Sequence, residues 1–165
     1  MAVTPRLCIV DASVLIDLEK GELVEEFLQL RCRWAIPAAV ILEVGESLGA
    51  ILISGGLAIM DMGADEVQEV FRLRQEYLRV SVSDLFCLVL SKNRKAILIT
   101  GDQPLRKAAE TVGVKVRGTL WMLDEMVRSQ TISGRKAAEA LKSMIAGGGR
   151  FPAEECSTRL KRWLI

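Results

Sequence analysis

The chain has 165 residues, half of them hydrophobic and 26% charged, which suits one compact domain with a sizeable core. It lacks histidine, and Cys8, Cys32, Cys87 and Cys156 form no C-x-x-C pair, which rules out a histidine acid/base pair and argues against structural zinc. The net charge of +1 hides an asymmetry: 7 Lys/Arg stand against 13 Asp/Glu before Asp84, and 15 against 8 from Asp84 onward, a hint of phosphate contact in the basic half.

Short apolar runs alternate with helical patterns, the signature of parallel strands joined by crossover helices. The chain opens with a strand over Leu7 to Asp11 and a helix over Val14 to Leu18 that Ser13 is placed to cap. An amphipathic helix is expected over Glu22 to Leu30 and a strand at Trp34 to Ile36. Ala38 to Leu48, after Pro37, reads as one mostly buried helix that carries both Glu43 and Glu46. A strand at Ala58 to Met60 and a helix over Gly63 to Tyr77 follow. Ser83 reads as the cap of a helix over Leu85 to Lys92. Strands at Ala96 to Thr100 and Lys115 to Val116 enclose a helix over Leu105 to Val112, with Asp102 at its start. Helices over Trp121 to Arg128, Gly134 to Ile145 and Pro152 to Leu164 complete the chain, with Gly147 to Gly149 as a hinge or linker.

The expected fold is a three-layer α/β/α sandwich around a mostly parallel twisted sheet. Residues 1–130 would form the core and residues 131–165 a helical C-terminal extension. The most apolar stretch, Ala38 to Met60, is interrupted by Glu43, Glu46 and Gly55-Gly56, so a membrane span is not expected. With no signal-peptide pattern at the N-terminus, the expected location is cytoplasmic.

Asp11 and Asp102 both follow apolar strands, where an ionised carboxylate is costly unless a cation or a hydrogen-bond donor compensates it. In a doubly wound sheet, strand carboxyl ends face the ligand crevice, and Glu43 and Asp84 can reach that crevice from helices. Gathered there, the four acids would repel one another, so at least one should show a raised pKa without an ion. An oxygen-only donor set suits Mg²⁺ or Mn²⁺, either of which activates water for phosphodiester hydrolysis. Lys92, Arg94, Lys95, Arg106 and Lys107 flank two of these acids in sequence and are candidates for tracking phosphates.

Four segments together resemble the PIN-domain family of nucleases: Val10-Asp11-Ala12-Ser13-Val14-Leu15-Ile16, Ile36-Pro37-Ala38-Ala39-Val40-Ile41-Leu42-Glu43, Ser83-Asp84 leading into Leu85 to Leu90, and Ile97-Leu98-Ile99-Thr100-Gly101-Asp102-Gln103-Pro104-Leu105. The resemblance implies that Asp11, Glu43, Asp84 and Asp102 bind metal and carry catalysis, with Ser13 and Thr100 in support. Glu46 competes with Glu43, which sits at the family's position. It further implies a Mg²⁺- or Mn²⁺-dependent endoribonuclease that leaves 5′-phosphate and 3′-hydroxyl ends. The setting implied is a VapC-like toxin of a toxin–antitoxin pair, with RNA as substrate, a cognate antitoxin as partner, and a homodimer. The alternative is a non-catalytic PIN-like protein that binds RNA or acts as a scaffold.

Overall fold

The structure, a computed structural model, describes residues 4–165. Five strands, β1 (Arg6–Val10), β2 (Cys32–Pro37), β3 (Ala58–Met60), β4 (Ile97–Ile99) and β5 (Val116–Arg117), form one parallel sheet ordered β3-β2-β1-β4-β5. The chain steps outward from β1 to β3 and then returns to place β4 on the other side of β1. That reversal opens a crevice between the carboxyl ends of β1 and β4. Register pairs Val10 with Ile99 and Ile9 with both Ala35 and Leu98, and the central strands are apolar because both of their faces are covered.

Nine helices accompany the strands among the described residues: α1 (Ala12–Lys20), α2 (Val24–Gln29), α3 (Glu46–Ser54), α4 (Ala64–Glu76), α5 (Val82–Arg94), α6 (Gln103–Thr111), α7 (Thr119–Arg128), α8 (Gly134–Ala146) and α9 (Ala153–Trp163). Helix α5 packs on β1, β2 and β4 and buries Leu85, Leu88 and Val89 among other residues, and α4 and α6 flank it. On the opposite face α2 sets Phe27 against Trp34, with ring centroids 4.4 Å apart, and α7 and α8 pack around α1. The outcome is the expected α/β/α sandwich, with every strand parallel.

Three local expectations are corrected. Ala38 to Leu48 is not one helix: it forms a 3₁₀ turn, Ile41–Val44, and α3 starts afresh at Glu46. Gly45 lies between them at φ +87°, a conformation no helix passes through. The helix expected from Glu22 begins only at Val24, because Glu22 takes a left-handed turn at φ +56°. Ser81 rather than Ser83 caps α5, its Oγ accepting from the Asp84 N–H at 3.1 Å.

At the C-terminus, α8 buries Ala137, Ala138, Leu141 and Met144 in the same core as the sheet, and α9 lies on α8. Gly147 to Gly149 close a hydrogen-bonded turn rather than a linker: the Gly149 N–H donates to the Met144 carbonyl at 2.9 Å. Asp124 on α7 ties down α9 by accepting from Arg159 Nε at 2.8 Å, from Trp163 Nε1 at 3.1 Å and from Arg162. No helix of the described residues is long and apolar enough to cross a membrane.

Candidate active site

Asp11 follows β1 directly and is 2% exposed, so its charge depends on the groups around it. Its own N–H donates to the Ile99 carbonyl at 3.1 Å, which continues the β1–β4 ladder into the site. Oδ1 accepts from Ser13 Oγ at 2.7 Å and from the Val14 N–H at 2.9 Å, while Oδ2 accepts from Thr100 Oγ1. Asp11 is thus the cap of α1. Of the two tasks expected of Ser13, capping that helix or supporting the acids, it performs the second by donating to Asp11.

Thr100 joins the two halves of the site. While donating to Asp11, its Oγ1 accepts from the Asp102 N–H at 3.1 Å. Asp102 caps α6, with Oδ2 accepting from the Leu105 N–H at 3.0 Å, and Pro104 in the first turn withholds no N–H the helix needs. Adjacent strands therefore bring Asp11 and Asp102 to the same edge of the sheet.

Asp84 occupies the first turn of α5, where the helix N-terminus favours a negative charge. Its carboxyl is nevertheless pushed up to about 7, first by burial and then by the charges of Asp11, Asp102 and, more weakly, Glu43, with Ser81 opposing. Burial likewise raises Asp11, and the Asp102 charge adds to it, against the hydroxyls of Thr100 and Ser13. Glu43 projects from the 3₁₀ turn and accepts from Ser83 Oγ, so α5 holds the second acidic segment beside Asp84. The sequence did signal Ser83 but assigned it to the wrong task. Beneath them Cys87 is fully buried, its thiol raised by burial and by the charges of Asp11, Asp84 and Glu43.

The other expected residues divide. Glu46 starts α3 beyond Gly45, exposed and sharing no helix with Glu43; among the described residues it makes no hydrogen bond to the acids. Lys92, Arg94 and Lys95 are corrected: they lie at the far end of α5, roughly 12–16 Å along the axis from Asp84, at the amino edge of the sheet. There Lys92 pairs with Glu69 at 2.6 Å and Arg94 with Glu66 at 3.2 Å. Arg106 is the cation beside the site, with Nη1 donating to the Thr100 carbonyl at 3.3 Å, and Lys107 is exposed on the next position of α6. Gly118, not singled out from sequence, makes room for Arg106: a Cβ there would meet Nη1 at 3.0 Å.

A divalent ion fits this donor set chemically. The donors are all carboxylate oxygens, Asp84 carries the mark of three neighbouring charges, and Asp102 Oδ1 and Glu43 Oε2 accept no hydrogen bond among the described residues. With the side chains as they stand, no three Asp, Glu or Cys groups among the described residues are close enough to grip an ion.

The sequence family described as DUF3368, a PIN domain, matches residues 7–164. The chain belongs to the PIN-domain family. The match runs from β1 through α9, so the two C-terminal helices fall inside it. Among curated proteins no match was found. PIN domains are typically nucleases, and in this one Asp11 and Asp102 stand at one edge of the sheet while Asp84 feels the charges of both and of Glu43.

Proposed function

We propose that this PIN domain is a Mg²⁺- or Mn²⁺-dependent endoribonuclease and the toxin of a toxin–antitoxin pair. One observation carries the nuclease reading: Asp84, from a helix, feels the charges of Asp11 and Asp102 at two strand ends and of Glu43 on a 3₁₀ turn. Asp11, Glu43, Asp84 and Asp102 would hold the ion, which when bound supplies an acidified water and offsets charge on the phosphate. The chain's own groups do the positioning. Ser13, Val14 and Thr100 fix the Asp11 carboxylate, and the Leu105 N–H fixes Asp102, so the ion would meet two immobile ligands. Arg106, anchored on the Thr100 carbonyl, brings a guanidinium to the edge where a phosphate would lie. Attack by water rather than by the 2′-hydroxyl leaves 5′-phosphate and 3′-hydroxyl ends.

The test is cleavage of mixed RNA with Mn²⁺ and with chelator, by the wild type and by Asp11→Asn and Asp102→Asn. Loss of a direct ligand should lower the rate at least about 100-fold. Cleavage that survives chelation, or equal rates in the variants, overturns the proposal. A second reading, a non-catalytic PIN-like RNA binder or scaffold, is favoured by the separation of the acids as they stand; RNA binding without turnover at saturating Mn²⁺ selects it. For the toxin setting, exposed Leu42, Ile51 and Ile53 beside the second acidic segment offer apolar surface that an antitoxin or a second copy would cover. The neighbouring reading frame and the mass in solution check these two partners.

A further inference from the structure

A cavity of about 670 Å³ lies on the α7 face of the sheet toward its amino edge, away from the acids. Arg6 begins β1 in register with Cys32, Arg31 immediately precedes Cys32 at the start of β2, and both arginines line the cavity. Arg117, at the end of β5, lines it too, as does Trp121 from the first turn of α7. One turn further along α7, Glu125 holds Arg128 at 2.6 Å, so that pair is internally neutral. Arg6, Arg31 and Arg117 enter none of the ion pairs found among the described residues, and Arg117 spends Nη1 on the adjacent Val116 carbonyl at 3.0 Å. Three uncompensated guanidiniums thus converge on one concave site.

We infer that this cavity binds a nucleoside phosphate. Guanidinium forks match phosphate oxygens two at a time, and the half-buried Trp121 indole offers a flat apolar face for a base. The volume is within the usual range for small-molecule sites. Cations that surround a cavity, rather than forming a track toward the acids, favour a free nucleotide over an RNA chain. The inference does not depend on the nuclease reading, because no acid of that site lines the cavity.

The experiment is equilibrium dialysis of the full chain against labelled ATP, with GTP, AMP, adenosine, inorganic phosphate and a 5′-phosphorylated RNA as competitors, backed by tryptophan fluorescence. Saturable binding is expected, with Trp121 quenched and the signal absent in Trp121→Phe. Arg6→Ala and Arg31→Ala, both exposed and in no ion pair among the described residues, should each weaken binding about tenfold or more while RNA cleavage is unchanged. Asp11→Asn should bind as the wild type does, which separates this result from the nuclease test. The inference is overturned if no nucleoside phosphate saturates at millimolar concentration, or if both arginine variants bind normally. Inorganic phosphate or adenosine competing as well as ATP overturns it too, as does displacement of ATP by the RNA more strongly than by GTP.

Discussion

Replacing Asp84 with Asn should stabilise the metal-free protein at pH 8, although it should abolish nuclease activity. In the folded chain this carboxyl titrates near 7, against 3.8 when unperturbed. Between those values the unfolded chain has released its proton and the folded chain has not, so stability falls as pH rises from about 4 to 7 and is level above. At about 1.4 kcal/mol per unit the ceiling is about 4 kcal/mol; partial solvation of the side chain brings the expected gain in Asp84→Asn to about 2 kcal/mol. Urea unfolding in chelator at pH 5 and pH 8 measures it. The wild type should lose stability between the two pH values, and the variant should lose less. Asp11, raised in the same direction, accounts for a remaining slope in the variant. A wild-type curve flat across that range, or an Asn variant less stable at pH 8, would refute the idea that repelled carboxylates share this crevice.

Three other outcomes are expected. Glu43→Gln should lower the rate of RNA cleavage at least about tenfold while Glu46→Gln stays within about twofold, because only Glu43 is held against α5 by Ser83; initial rates at fixed Mn²⁺ decide this. Gly134→Ala would place a methyl 2.1 Å from the Trp163 carbonyl oxygen, and the displacement of α9 should cost about 2 kcal/mol by chemical denaturation. Asp124→Ala removes the shared acceptor of Arg159, Arg162 and Trp163, so about 1–2 kcal/mol should be lost and α9 amides should exchange faster than those of α5.

What could be read from sequence was what depends on local pattern. Leu7 to Val10 and Ala96 to Ile99 are dense enough in apolar, β-branched residues to mark central strands, and the acids after them inherit their place from the strand ends. The family resemblance supplied the company of Glu43 and Asp84, which spacing alone only permits. Gly45 was invisible as a breaker because its positive φ is set by how the chain turns from the 3₁₀ segment into α3. Lys92, Arg94 and Lys95 were misplaced for a simple reason: nearness in sequence to Asp84 means little when a helix of 13 residues carries them to the other edge of the sheet. Ser81 and Ser83 are alike as helix starters, and only the tertiary contact with Glu43 distinguishes their roles.

The hydroxyl of Thr100 reaches a carboxylate 89 positions earlier in the chain. During synthesis Asp11 and Glu43 emerge well before the strand that leads into this threonine, so for more than half of translation Asp11 has no partner from β4 and its neighbour strand is missing. Closing so long a loop is slow compared with local helix formation. A ribosome-bound fragment ending before β4 should therefore lack the assembled acidic crevice, which can form only once β4 and Thr100 have left the exit tunnel.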